Sequence, residues 1–521
     1  MRRLLKHTML PVIVLFLIGL FFIYKAVYFP PHDFANYYYA AFFLENGQFN
    51  PIIYDPAWFN IQIEMYTKNA YAAYAPNTPF LAFSFIPLTC FSFGAAKIIF
   101  NSISLFLFIT SLYRLFRHYK INLNYIFIIL ILFIVPIKNN VLFGQVYFFL
   151  FFLITEGFLA YKKNRTIRMS ILWSLAILLK VFPILLFLFL LFKKRYKSVL
   201  YLVSTLVILL FVSILINGSE AWIFYLKEVL PKASNGEISG EFVKNYQSFL
   251  MFFKHAFIEN KNLLFQNSFA FQTTMISVKL IIVSLGIFHT IKKKSSLETF
   301  SFWILAFYLL SPYSSSYGSL LLVIPLILVF RKNSWKFTLF FSSLVFLYAN
   351  VPYDFFHSSS LVLSFFKLFA LVILFYSLFL FRQTFLKTQL IIIGLSIVLG
   401  FSISSISKSK DLEKEVPLLA NNNIAFIIDY SIKNNTLHYS YWSGKGLIKK
   451  QIPLKANNIN TTDVAIIENE IYIKNKKIHL PKSNKKQATI INSNTLIYLS
   501  DHDRGFKFYN LKRINITEKK H

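Results

Sequence analysis

From Met9 to Ile406 the chain is a succession of apolar stretches separated by short basic clusters. About 20 apolar residues are what a helix needs to cross a hydrocarbon core roughly 30 Å thick, so this one feature points to a polytopic membrane protein. Composition agrees, with 56% hydrophobic and 19% aromatic residues, 62 Phe against 15 Gly and a mean hydropathy of +0.55. A formal net charge of +32 is high enough to bring nucleic acid to mind. The Lys and Arg lie between apolar runs, however, as cytoplasmic loops do under the positive-inside bias. Cys90 is the only cysteine, which leaves neither a disulfide framework nor a zinc site.

Arg2, Arg3 and Lys6 precede the apolar run Met9–Phe29, which has no small-residue cleavage site and predicts a retained first helix with its N-terminus inside. Residues 30–79 are then the first extracytoplasmic loop, with two pieces, Asn36–Asn46 and Trp58–Lys68, expected to lie flat on the bilayer surface. Pro79–Phe93 is too short to span, and Gly94–Phe116 crosses inward. Tyr125–Ile137 crosses outward to a turn at Lys138-Asn139-Asn140, and Val141–Tyr161 returns. Met169–Phe192 is one span long yet has basic loops on both sides, Lys162 to Arg168 and Lys193-Lys194-Arg195. Basic ends on both sides predict a hairpin of two half-length helices, broken at Lys180-Val181-Phe182-Pro183, with Lys180 near the membrane midplane.

Val199–Ile216 leads to a long polar outer stretch, Asn217–Gln272. Thr273–Thr290 returns to Lys292-Lys293-Lys294, and the runs Phe300–Leu310, Ser319–Phe330, Phe337–Val351, Leu361–Phe381 and Leu390–Ile406 follow, with Arg382 and Lys387 inside. The parity gives about thirteen crossings and puts the C-terminus outside. After Lys408 short alternating runs take over: Ile424–Tyr430, Leu437–Trp442, Val464–Ile467, Glu470–Ile473, Thr489–Leu499 and Phe506–Leu511. Turn signals at Asn434-Asn435, Ser443-Gly444 and Asp503-Arg504-Gly505 separate them. The expected fold is therefore an all-α polytopic membrane domain over 1–407, with about 11–13 transmembrane helices, and a small extracytoplasmic antiparallel β domain over 408–521.

Asp33 is the first candidate for chemistry. It follows a proline pair, Pro30-Pro31, and His32 at the outer end of the first helix, ahead of Tyr37-Tyr38. A carboxylate partly shielded there is placed to accept a proton from a hydroxyl nucleophile, and equally to cap a helix from Phe34 onward. Lys180 is a cation inside an apolar segment, a placement that calls for a cavity, a counter-ion or an interface within reach of its long stem. A lipid phosphate arriving from the side is such a counter-ion. Lys138, Asn140 and Gly144-Gln145 put a cation and amides at the outer mouth of a span, suited to a sugar hydroxyl or to an interhelical hydrogen bond. Asn245, Gln247 and His255 are polar residues of the outer loop, Tyr74 sits in a proline-punctuated segment, and Asp55 and Glu64 are the other acids of the first loop.

The series Asp33-Phe34, Tyr37-Tyr38, Ile53-Tyr54-Asp55, Tyr74 to Pro79, Pro87-Leu88, Pro136, Gly144-Gln145-Val146, Lys180-Val181-Phe182-Pro183 and Leu310-Ser311-Pro312 resembles, in order and spacing, the family 87 glycosyltransferases of the GT-C superfamily. Polyprenyl-phosphate-mannose-dependent α-mannosyltransferases are among them. The resemblance runs from about Asp33 to Phe330. It implies a catalytic Asp in the first outer loop, which maps onto Asp33, and transfer of a sugar, mannose by that likeness, from a polyprenyl-phosphate donor to a glycolipid or glycan acceptor. Transfer would take place with inversion at the extracytoplasmic face of the cytoplasmic membrane, with Lys180 or Lys138 on the donor phosphate. His32, Tyr37, Tyr74, Asn140, Gln145, Asn245 and Gln247 would line the substrates. The chemistry implied needs no metal and no cofactor. Two departures stand out: Ala75-Pro76-Asn77-Thr78-Pro79 has fewer consecutive prolines than the family tends to have, and the segment around Ser311-Pro312 lacks the Trp and His often seen after it. A flippase of lipid-linked sugars is the alternative, since broken helices and an intramembrane Lys are also transporter features.

Overall fold

The computed structural model describes residues 9–68, 70–238, 244–257, 268–292, 295–356, 360–380, 385–406, 416–419, 426–443, 446–454, 459–460, 463–480, 483–492, 494–502 and 505–516. Arg2, Arg3, Lys6, Lys293, Lys294, Arg382, Lys408, Ile424, Gly444, Asp503 and Arg504, to which the sequence assigns roles above, lie outside them.

The first apolar run is helix α1, Leu10–Val27, which ends ahead of Pro30 and Pro31. Two helices follow where the loop was expected to carry them: α2, Asp33–Glu45, and α3, Pro56–Glu64. The placement of α2 on a bilayer surface is corrected. Phe34, Ala35, Tyr37 through Ala41 and Phe43 are all buried, so α2 has almost no face left for lipid. The tyrosines permit this because each ring buries apolar area while its hydroxyl finds a partner: Tyr38 donates to the Phe91 carbonyl at 2.8 Å and Tyr37 to Gln145 at 2.7 Å. Helix α4, Pro79–Thr89, packs against α2, and α5, Phe93–His118, is a long apolar helix.

Tyr125–Leu132 (α6) and Ile134–Phe143 (α7) are bent by 63° to each other. Helix α7 continues through Lys138-Asn139-Asn140, where the sequence suggested a turn. The chain turns instead at Gly144, whose φ of +69° is the left-handed conformation that ends helices and that glycine adopts without steric cost. Helices α8 (Tyr147–Lys162) and α9 (Thr166–Leu179) follow. The predicted break falls on Lys180 and a 3₁₀ turn at Phe182–Leu185, before α10, Leu186–Phe192, and α11, Tyr196–Asn217. Far from that break, the buried Glu156 of α8 receives Arg114 of α5 at 2.8 Å and Arg168 of α9 at 3.1 Å. This ion triad ties three helices together, and removing both arginines would strand the buried Glu156 charge.

Five described helices are long and apolar enough to cross a membrane: Leu10–Val27, Phe93–His118, Tyr196–Asn217, Phe269–Lys292 and Leu386–Ile406. The bent α6–α7 pair makes six, and shorter apolar helices of 10–17 residues account for other predicted crossings. The pattern is that of a polytopic membrane protein, with fewer full-length spans than the 11–13 expected. Hydropathy counts apolar runs, whereas many of these fold as short or broken helices packed inside the bundle. The outer stretch 217–272 is likewise partly helical, at Ser219–Phe224, Leu230–Ser234 and Phe249–Phe257.

The C-terminal region is antiparallel β, in one five-stranded and two three-stranded sheets. Asn434 and Asn435 make the predicted hairpin turn with φ of +47° and +57°. Thr489–Leu499, read as one strand, is a hairpin of Lys485–Ile491 and Thr495–Ser500, because Asn492 turns the chain at φ +52°. The last predicted strand is displaced to Asn510–Asn515, and Leu447–Pro453, a Lys-rich edge strand, escaped the alternation pattern.

Candidate functional site

Helix α2 starts at Asp33, so its carboxylate stands at a helix N-terminus, where the dipole favours negative charge. The residue before it, His32, is the N-cap and makes no side-chain capping bond. The Asp33 carboxylate is held by side chains instead. Gln145 Nε2 donates to Asp33 Oδ2, and His32 Nδ1 lies 3.1 Å from Oδ1. Asp33 keeps 20% of its side-chain surface exposed and His32 43%, so the site opens to solvent. The His32 ring stacks on Phe143 with centroids 4.6 Å apart.

The Tyr37 hydroxyl, one helical turn on from Asp33, donates to Gln145 Oε1 at 2.7 Å. A hydroxyl donating to one end of an amide leaves the other end, the NH₂, to face the carboxylate. Burial, followed by the Asp33 charge, pushes the Tyr37 phenol well above the ordinary tyrosine range, so it stays protonated and keeps this role. Gln145 is delivered by the Gly144 turn, where its own N–H donates to the Asn140 carbonyl at 2.8 Å. A Cβ on Gly144 would stand 2.6 Å from Phe34 Cβ, so the turn and the start of α2 are in direct contact.

Lys180 reaches the same cleft from the α9 break. Its Nζ donates to Asn77 Oδ1 at 2.9 Å and lies 5.9 Å from the Tyr37 ring centroid. Tyr317 lies 6.2 Å from Phe143, the ring on which His32 stacks, and 5.3 Å from Tyr147, so both tyrosines border the same cleft. Asn77 belongs to the loop before α4, where Thr78 Oγ1 donates to the Leu178 carbonyl of α9. The break carrying Lys180 is thus fastened to the first loop.

Other expected residues take different places. Asn140 is fully buried, its amide donating to the carbonyls of Pro136 at 2.9 Å and Tyr317 at 3.1 Å, with Oδ1 unpartnered. Tyr74 is sealed inside the loop, donating to the Thr78 carbonyl at 2.6 Å and accepting from Ala82 N at 3.2 Å, and burial holds its phenol well above the usual range. Lys138 is exposed on α7 and makes no described hydrogen bond or ion pair. Asn245 is exposed, while Gln247 is buried and spends its amide on the Lys244 and Ser364 carbonyls. Between them Tyr246 packs 5.2 Å from Tyr313. Asp55 caps α3, accepting from Ala57 N at 2.9 Å and Trp58 N at 3.3 Å. Glu64 pairs with Lys68 at 3.8 Å.

Sequence reasoning missed Asn77, Tyr147, Tyr317 and Ser316 as members of this cluster. Tyr147 and Tyr317 lie 5.3 Å apart, and Asn139 Nδ2 donates to Ser316 Oγ at 2.8 Å, so the outer turn 311–317 walls the cleft opposite α2. The serine- and tyrosine-rich composition of that turn was the available signal. A carboxylate, an oriented amide, a neighbouring cation and a hydroxyl-rich wall make a site suited to taking a proton from a sugar hydroxyl beside an anionic leaving group. Among the described residues no cluster of three His, Cys, Asp or Glu side chains is spaced to hold a metal. No curated protein matches the chain. Residues 75–312 match the model of glycosyltransferase family 87, and that match marks the chain as a glycosyltransferase.

Proposed function

We propose that this glycosyltransferase takes a sugar, mannose on the family likeness, from a polyprenyl-phosphate carrier and places it on an acceptor hydroxyl of a glycolipid or glycan. The cleft would face the extracytoplasmic side of the cytoplasmic membrane. The observation that carries the reading is the Asp33–Gln145–Tyr37 chain with Lys180 beside it. The matched stretch holds Asn77, Gln145 and Lys180 but begins after Asp33, so the role of Asp33 rests on this geometry and on the resemblance of the first loop.

In the proposed reaction Asp33 accepts the proton of the acceptor hydroxyl as its oxygen forms a bond to the anomeric carbon. The bond from that carbon to the carrier's phosphate oxygen breaks on the opposite face, giving inversion. Gln145, oriented by Tyr37, occupies Oδ2, so the acceptor proton goes to a lone pair of Oδ1, which His32 Nδ1 also approaches at 3.1 Å. The Lys180 ammonium meets the charge that grows on the departing phosphate. We assign that part to Lys180 over Lys138, because Lys180 shares the cleft with Asp33. The donor is lipid-linked sugar alone, with no cofactor.

The test is transfer from radiolabelled polyprenyl-phosphate sugars to membrane glycolipid extracts by the purified protein in nanodiscs, beside a folded Asp33→Asn variant. The expected result is product with the wild type and a loss of about 10²-fold or more in the variant. Transfer that survives the substitution removes Asp33 from the role of base. Movement of label across the bilayer without product favours the flippase.

A further inference from the structure

The β domain is seated on the first loop and on the stretch that follows α11, and residues 505–508 make much of the contact. Phe506 joins the apolar core of the helical part, 6.4 Å from the Phe224 ring, and its N–H donates to the Ile238 carbonyl at 3.3 Å. Lys232 lies 4.8 Å over Phe506 and donates to Asn484 Oδ1 at 3.1 Å. Lys507 Nζ approaches Asp55 Oδ2 at 3.9 Å and the Phe224 ring at 5.4 Å. Asp501 braces the loop from inside, accepting from Lys507 N at 2.6 Å and Asn484 N at 2.8 Å. Beside these, Phe426 and Trp442 of the β domain pack with Ala57 in a cluster bordered by Tyr71 and Phe508.

What the β domain touches is also what holds the cleft. Asp55 and Ala57 open α3, a nine-residue helix, and helices this short depend on tertiary support. Asn60 of α3 accepts from Ala72 N at 2.9 Å and donates to the Ala72 carbonyl at 2.6 Å, fixing the segment that leads to Asn77. The next amide, Ala73 N, donates to Asn36 Oδ1 at 2.8 Å, on the first turn of the helix that Asp33 begins. Tyr54, adjoining Asp55, packs 5.7 Å from Phe224 and donates to the Asn77 carbonyl at 3.0 Å, and Asn77 holds Lys180. An unbroken set of contacts therefore joins residues 505–508 to both Asp33 and Lys180.

We propose that the β domain is a positioning module of the transferase: docking of its residues 505–508 on Asp55 and Phe224 sets the α3–Asn77 segment and thereby Lys180, with Lys507 as a positioning residue. This rests on the reading of Lys180 as the residue that meets the donor phosphate. The alternative, a domain that shares the chain and merely sits nearby, predicts no coupling between loop and cleft.

The test uses the full chain in nanodiscs with Phe506→Ala, Lys507→Asp and Lys507→Arg. Hydrogen exchange at the Ala72 and Ala73 amides reads the coupling without reference to any reaction. Both disrupting variants should raise that exchange about tenfold, and Lys507→Arg, which keeps a cation opposite Asp55, should retain protection. Unchanged exchange in both disrupting variants overturns the proposal, as does exchange in Lys507→Arg raised as far as in Lys507→Asp. Binding of polyprenyl phosphate is the second readout, with a weakening of about fivefold in Lys507→Asp and a fall in kcat beside it, since Lys180 acts on charge that grows in the transition state. If the amides respond and neither wild type nor variant binds the lipid phosphate, the Lys180 reading falls while the placement of the loop by the β domain stands.

Discussion

At Asp33 the decisive partner is an uncharged amide. Gln145 has two ends, and only one of them can serve a carboxylate; the Tyr37 hydroxyl settles which. Tyr37→Phe keeps the ring that lies near Lys180 and removes only the hydroxyl. With Oε1 released, the amide is free to turn its oxygen toward Asp33, where two acceptors would face each other. The loss of one hydrogen bond in a network of this kind is worth about 1–1.5 kcal/mol, so transfer should fall roughly tenfold with the fold intact. Steady-state kinetics checks this, with circular dichroism or thermal unfolding as the control for fold. A Tyr37→Phe enzyme of full activity would mean that Gln145 is held in place without it. Asp33 and Gln145 were legible in the sequence as a lone acid after a proline pair and an amide after a glycine. Asn77 was not, because its importance comes from Lys180, 103 positions away, and nothing local announces such a pairing.

Among the elements, the turn between α7 and α8 places the amide, and it depends on Gly144. Two separate constraints exclude a side chain there: a φ of +69°, and a Cβ position 2.6 Å from Phe34 Cβ, which is a stiff part of its side chain. Gly144→Ala should therefore strain the turn and push α2 from the mouth of the cleft. The expected cost is about 1–3 kcal/mol, read as an earlier thermal transition in detergent, with transfer reduced more steeply than stability. An alanine variant of ordinary stability and activity would show that α2 yields easily. Element type followed from apolar periodicity for α1, α5 and α11, whose runs match their helices within a few residues. At α2 the helix was foreseen and its placement was not, since tyrosine hydroxyls let an apparently surface-seeking helix be buried; element type failed at α7, where Asn139-Asn140 looked like a turn but the glycine downstream made it. In the β domain the hairpin at Asn492 was hidden because apolar residues on both sides read as one run.

Across the whole molecule, the contact of Lys507 and Trp442 with the start of α3 carries an expectation about sidedness that hydropathy parity could not secure. Counting crossings gives the side of the C-terminal domain only if every crossing is counted correctly, and the short and broken helices make that count fragile. Packing is independent of the count: Lys507 meets Asp55 and Trp442 packs with Ala57, so the β domain and the first loop are expected on one side of the membrane whatever the number of spans. The basic loop between α8 and α9 is expected on the opposite side, since α8 begins at the cleft with Tyr147 and α9 ends there with Lys180. A single-cysteine series tests this directly, because Cys90 is the one native cysteine and Cys90→Ser removes it. In that background Gln48→Cys in the first loop, Lys433→Cys in the β domain and Lys163→Cys in the basic loop all fall on exposed positions. A membrane-impermeant maleimide added to spheroplasts should label the first two and spare the third until the membrane is opened, as the positive-inside bias requires. Labelling of Lys433→Cys together with Lys163→Cys, and not with Gln48→Cys, would detach the β domain from the loop on which it is seated. Labelling of Lys163→Cys alone would keep the two together and turn the whole molecule over, leaving the cleft on the cytoplasmic side.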